Sequence, residues 1–111
     1  MTQKRIAIDF DGTICKDKFP EIGELEEGGK EVIEKFKAKG WYVIIYSCRS
    51  NSDYFDDNEK YETEMIQFLK DNNILYDEIY RDKGKVVADY YICDRAIEYK
   101  NNWKEIEMRI I

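Results

Sequence analysis

Asp9 and Asp11 stand one residue apart at the end of a short apolar run, in the stretch Ile6-Ala7-Ile8-Asp9-Phe10-Asp11-Gly12-Thr13. Along an extended backbone a spacing of two sends both carboxylates to the same side, while Phe10 turns back into packing. Gly12 permits a sharp exit and close backbone approach to a ligand. Two carboxylates so placed repel by roughly 1 kcal/mol at 4 Å in water and about 4 kcal/mol at an effective dielectric of 20. A divalent cation or a shared proton offsets that repulsion. For an isolated Asp-x-Asp-Gly, a turn whose aspartates satisfy backbone donors is the competing reading. Further on, Ser47, Cys48 and Arg49 follow a second apolar run, Lys83 and Lys85 sit in a basic turn, and Asp94 closes a third apolar stretch.

The elements that must position these groups follow from periodicity. Residues 6–8 read as a buried strand, and residues 14–27, with Pro20, Gly23 and several acids, as a flap without a long helix or strand. Residues 28–39 carry Val32, Ile33 and Phe36 at helical spacing, with lysines toward the end and Gly40 as a stop. Trp41 to Tyr46 is a continuous apolar and aromatic run, the pattern of a strand buried on both faces of a parallel sheet. Residues 51–58 are polar, a loop or helix lead-in; residues 59–71 place Tyr61, Met65, Phe68 and Leu69 on one helical face. A third strand is expected over 75–80, a fourth over 89–94, and a final helix from Ala96 onward through Trp103 and Ile106, with room for a short strand in the tail. Alternating strands and helices predict a three-layer α/β/α, Rossmann-like, open and mostly parallel sheet. In such sheets ligands sit beyond the carboxyl ends of the strands, where Asp9, Asp11, Ser47, Arg49 and Asp94 would converge.

The chain has 111 residues, enough for one domain spanning 1–111. Charged residues make up 38% and the net charge is −6, which disfavours general affinity for nucleic acid or anionic membranes. The first residues lack the apolar length of a secretory signal and no apolar run is long enough to span a bilayer, so the expected location is cytoplasmic. Cys15, Cys48 and Cys93 are widely spaced, and histidine is absent, which excludes a histidine base and disfavours disulfide or zinc frameworks. All three cysteines lie next to motif positions; small buried fillers is the plainer reading, oxidation-sensitive thiols the other. Tyr54, Tyr61, Tyr76 and Tyr80 are read first as packing residues and second as stacking platforms for a base or sugar.

Taken together, Asp9-Phe10-Asp11-Gly12-Thr13, a strand ending in Ser47, a following lysine and a strand ending in Asp94 resemble the haloacid dehalogenase-like (HAD-like) superfamily of phosphohydrolases, in that family's motif order across residues 5 to about 98. The stretch 85–96 looks like the last motif of small capless members, which often carry two adjacent acids where this chain has Cys93-Asp94. The resemblance implies a capless magnesium-dependent phosphatase in which Asp9 is the nucleophile, forming an aspartyl-phosphate, and Asp11 the general acid and then base. It implies Mg2+ held by Asp9, the Asp11 carbonyl and Asp94, in an oxygen-only shell. Ser47 would donate to phosphate, with backbone amides beside Gly12 and Cys48 completing the cradle. Lys85 is preferred to Lys83 for its spacing to Asp89 and Asp94. Arg49 either grips a second substrate anion or pairs with an exposed acid. Glu98 holds a water or an orienting contact, and Asp89 is structural.

Neither gap between motifs is long enough for a cap domain, so the site is expected to be open. The substrate would be a phosphorylated small molecule or the phosphorylated end of a macromolecule, with a homo-oligomer one way to complete a pocket. Two other classes compete: a receiver-like domain phosphorylated on aspartate, disfavoured by Ser47 at the second strand end, and an inactive binding module, motivated by Cys93 in place of an acid.

Overall fold

The computed structural model describes residues 3–52 and 56–111; Tyr54 and part of the predicted 51–58 lead-in lie outside the described residues. Strand β1 (Arg5–Asp9) is the centre of a four-stranded parallel sheet with β4 (Tyr42–Tyr46), β5 (Glu78–Ile79) and β6 (Tyr90–Ile92), in the order β5-β4-β1-β6. Between β1 and β4 lie an antiparallel hairpin, β2 (Cys15–Lys18) and β3 (Glu21–Leu25), and helix α1 (Gly29–Ala38). Helix α2 (Asn58–Asp71) precedes β5, and α3 (Trp103–Ile110) ends the chain. The register pairs Asp9 with Tyr46 and Ile8 with Ile92, so the carboxyl ends of the central strands finish level with one another.

Alternation along β1 and β4 divides the core in two. Ile6, Ile8, Val43 and Ile45 face α1 and α2 through Ile33, Met65 and Leu69, all buried. On the opposite face Ala7 and Ile44 meet Val86, flanked by Tyr42, Tyr46, Tyr80 and Ala88. Helices α1 and α2 thus share one face of the sheet, in a Rossmann-like α/β arrangement. The physical reason is the handedness of crossovers: β1 to β4 to β5 steps twice in one direction, and right-handed connections then place both helices on the same side. The chain returns past β1 to β6 with no helix among the described residues between Ile79 and Tyr90, so this segment covers the second face as coil.

Other boundaries also differ from expectation. The flap over 14–27 is built as two short strands, with Glu26 N–H donating to the Ile14 carbonyl at 2.8 Å. The third strand shrinks to Glu78–Ile79, although the Asp77 N–H still donates to the Val43 carbonyl at 2.8 Å; the Asp77 Oδ2 accepts the Val43 N–H at 2.7 Å and the Lys37 ammonium at 2.5 Å, locking α1 to the edge of β4. The last helix begins only at Trp103, after Asn101 in a left-handed turn at φ 59°, and the tail continues as helix rather than strand. Among the described residues no helix is long and apolar enough to cross a membrane.

Candidate functional site

The chain moves outward from β1 to β4 and β5 and then back to β6 on the other side of β1, so the reversal of strand order falls at the carboxyl end of β1. That is where an open parallel sheet leaves a crevice. Here it is a cavity of about 900 Å³ lined by Asp9, Asp11, Ser47, Cys48 and Lys85 among others. Of the five residues expected to converge, Asp9, Asp11 and Ser47 line it, joined by Cys48 and Lys85 of the expected phosphate cradle, while Arg49, Asp94 and Gly12 are not among its lining residues. Lys83 is not among the described residues lining the cavity, and its carbonyl accepts the Tyr80 hydroxyl at 3.3 Å.

Asp9 leaves β1 with its Oδ1 accepting the Phe10 N–H at 2.9 Å. Its carboxyl is pushed up to about 6, first by burial and then by the charges of Asp94 and Asp11, against the lowering influence of that N–H and of Arg95. Phe10 is fully buried edge-on against Phe68, with centroids 5.6 Å apart, and its carbonyl accepts the N–H groups of Thr13, Ile14 and Cys15 at 2.9–3.4 Å. One buried ring and one shared carbonyl therefore fold the loop that carries both aspartates.

Gly12 adopts φ +86°, and a Cβ there would overlap Asp94 Oδ2. The Asp94 carboxylate is thereby seated against the first loop, from the far side of the sheet's centre. A Gly12→Ala variant combines left-handed strain with that overlap; it is expected to lose roughly 1–3 kcal/mol of stability, read as a lowered urea midpoint. The Gly12 amide donates to the Cys15 carbonyl at 2.8 Å, so it is not free to cradle phosphate as expected. Ser47 accepts the Arg49 N–H at 3.1 Å on its hydroxyl oxygen, which leaves its own hydrogen for a ligand. The Lys85 ammonium lies 5.0 Å from the Tyr91 ring centre.

Arg49 differs most from its expected place. Its side chain is wholly buried, and the guanidinium donates to both Asp11 oxygens at 2.8 and 2.9 Å. It also donates to the Pro20 and Glu21 carbonyls at 3.2 and 3.1 Å, and packs over Phe19 and Phe10 at 4.8 and 5.7 Å. Of the two uses expected for it, the structure places it on an acid, and its assignment to phosphate binding is corrected. Asp89 is structural as expected, accepting the Arg5 N–H at 2.8 Å, whereas Glu98 is exposed beside Lys100.

Burial pushes the Cys15 thiol up to about 11 and raises that of Cys48, whose neighbours Asp11 and Asp9 add to the shift. Neither is a thiolate-prone nucleophile. Cavity residues that sequence reasoning passed over include Arg95, Phe19, Tyr46 and Tyr91. The position of Arg95 directly after Asp94 was the available signal for the first of them.

Two carboxylates, Asp9 and Asp94, with the main-chain carbonyl of Asp11, make a hard oxygen set that suits a divalent cation such as Mg2+. No cluster of three or more ligating side chains occurs among the described residues. The set implied by the resemblance counts Asp11 through its backbone carbonyl, and the Asp11 carboxylate is held by Arg49.

No protein-family model matches the chain, and no curated protein matches it. Among solved structures it is similar to one described as a conserved protein from Bacteroides thetaiotaomicron, with 23% identity, a TM-score of 0.70, and coverage of 98% of this chain and 90% of that one. The likeness extends to the whole fold, a small α/β unit with a parallel sheet flanked by helices.

Proposed function

We propose that the chain is a HAD-like phosphatase that hydrolyses a phosphate monoester or related phosphoryl compound through an aspartyl-phosphate on Asp9. The observation that supports this reading is the meeting of Asp9, Asp11, Ser47 and Lys85 around one cavity at the strand-order reversal, with Asp94 seated against the same loop. An Asp9 oxygen would attack phosphorus in line, while the Ser47 hydroxyl and the Lys85 ammonium hold the phosphoryl oxygens. Water then attacks the aspartyl-phosphate, giving its proton to Asp11. The elevated Asp9 carboxyl reflects the cost of a buried charge beside Asp94 and Asp11, which a neighbouring positive charge would relieve. Mg2+ bound by Asp9, Asp94 and the Asp11 carbonyl would supply that charge and screen carboxylate from phosphate.

The test is hydrolysis of nitrophenyl phosphate in magnesium and in excess chelator, with acid-quenched protein digested to find the phosphorylated peptide. Magnesium-dependent turnover with transient phosphate on the peptide containing Asp9 is expected. Stable phosphorylation without turnover would favour the receiver-like reading. Neither turnover nor magnesium binding would favour an inactive binding module.

A further inference from the structure

Lys85 stands on a stretch with little regular structure to hold it still. Between Ile79 and Tyr90 the chain is coil, Lys85 itself is exposed, and Gly84 directly before it adopts φ 86°. A long flexible stem on such a stretch must give up much rotamer freedom before its charge can grip an anion. Here one side chain from another element restrains both the backbone and the stem.

That side chain is Tyr91, the middle residue of β6. Its register opposite Ala7 fixes it relative to the strand that delivers Asp9 two residues further on. The Tyr91 hydroxyl donates to the Val86 carbonyl at 2.6 Å and accepts the Ala88 N–H at 3.2 Å. Val86 is in turn buried against Ala7 and Ile44, so the coil just after the lysine is fastened to the sheet at two levels. The ring of the same tyrosine lies 5.0 Å from the Lys85 ammonium, and both residues line the cavity. A ring face attracts a cation without taking a hydrogen from it, which keeps the three ammonium hydrogens available to an anion.

We infer that Tyr91 is a positioning residue for phosphate binding: its hydroxyl ties down the backbone that carries Lys85, and its ring holds the ammonium at the cavity before the anion arrives. Tyr91 acts through Lys85 and not by touching phosphate. The inference rests on the phosphatase reading for what becomes of the bound phosphate, but the coupling between the two residues is measurable without turnover. A charge already in place costs less ordering when the anion binds, so the role belongs to affinity.

The experiment measures the Kd of inorganic phosphate for the full chain in magnesium, by calorimetry, in the wild type, Tyr91→Leu, Lys85→Met and the double variant, beside hydrolysis of nitrophenyl phosphate by the wild type. Tyr91→Leu is expected to raise the Kd about three- to tenfold while Lys85 is present. In the Lys85→Met background the same change should move it by less than about twofold, because its effect passes through the missing ammonium. General damage to the fold would raise the Kd by one factor in both backgrounds. Tyr91→Phe, which keeps the ring and loses the two hydroxyl bonds, runs through the same cycle should the leucine variant fail to fold, with a rise of about two- to threefold that vanishes with Lys85 expected. Effects that persist undiminished in Lys85→Met would overturn the inference, and continued hydrolysis of nitrophenyl phosphate would then leave the phosphatase reading standing. Coupling without turnover would support the role of Tyr91 and overturn the phosphatase reading. Neither phosphate binding nor turnover would overturn both.

Discussion

Replacing Arg49 by methionine is expected to destabilise the fold by about 3–5 kcal/mol, the cost of removing one partner from a buried ion pair. The side chain is wholly buried and Asp11 is only 14% exposed, so the carboxylate left behind has little water to turn to. The damage spreads beyond one pair, because the same guanidinium satisfies two carbonyls at the turn between β2 and β3. Loss of those bonds leaves the hairpin attached by Cys15 in the core and by Ile22 and Leu25 packed against it. The measurement is a urea transition at neutral pH, where the midpoint should fall while the slope is kept. Pairing Arg49→Met with Asp11→Leu removes both charges at once and should recover much of the loss, since an apolar pair of similar volume is often no worse than the ion pair it replaces. If Arg49→Met alone were neutral, the pair would not be the clamp described above.

The sheet was legible because β1 and β4 are buried on both faces and therefore appear as unbroken runs rich in apolar, β-branched and aromatic residues. Once β1 and β4 were parallel neighbours, the meeting of Asp9 with Ser47 followed from strand direction alone. The hairpin was illegible for the opposite reason. Strand β2 reads Cys-Lys-Asp-Lys, with three exposed residues after one buried cysteine, and carries no alternation to detect. Which face α1 and α2 take was not legible, because it depends on strand order, which the sequence does not display. Arg49 was the deepest difference. A lone arginine after Ser47-Cys48 carries no sign of its partner, and its acid stands 38 residues away across a loop whose path is set by Phe10.

Asp9→Asn should make the metal-free protein more stable at pH 8 by up to about 3 kcal/mol while abolishing turnover. The native carboxyl lies near 6 against an ordinary value of 3.8, roughly two units, each equivalent to about 1.4 kcal/mol. At pH 8 the group is ionised both folded and unfolded, and the folded state carries the full cost of burying that charge beside Asp94 and Asp11. As the pH falls through 6 the native protein takes up the proton while the unfolded chain does not, so stability rises; below about 4 both forms are protonated and the relief is complete. The advantage of the variant should therefore shrink between pH 7 and pH 4, because its amide carries no charge at either end. Urea transitions of both proteins across that range, in chelator, measure it directly. A constant difference would show that the Asp9 charge is not what strains the fold. Magnesium should reverse the order at pH 8 by binding only the protein that retains the carboxylate, adding stability as its concentration exceeds the dissociation constant. The charge that burdens the empty fold is the one the proposed reaction requires, and the sign of the magnesium effect on these two proteins reports on both roles at once.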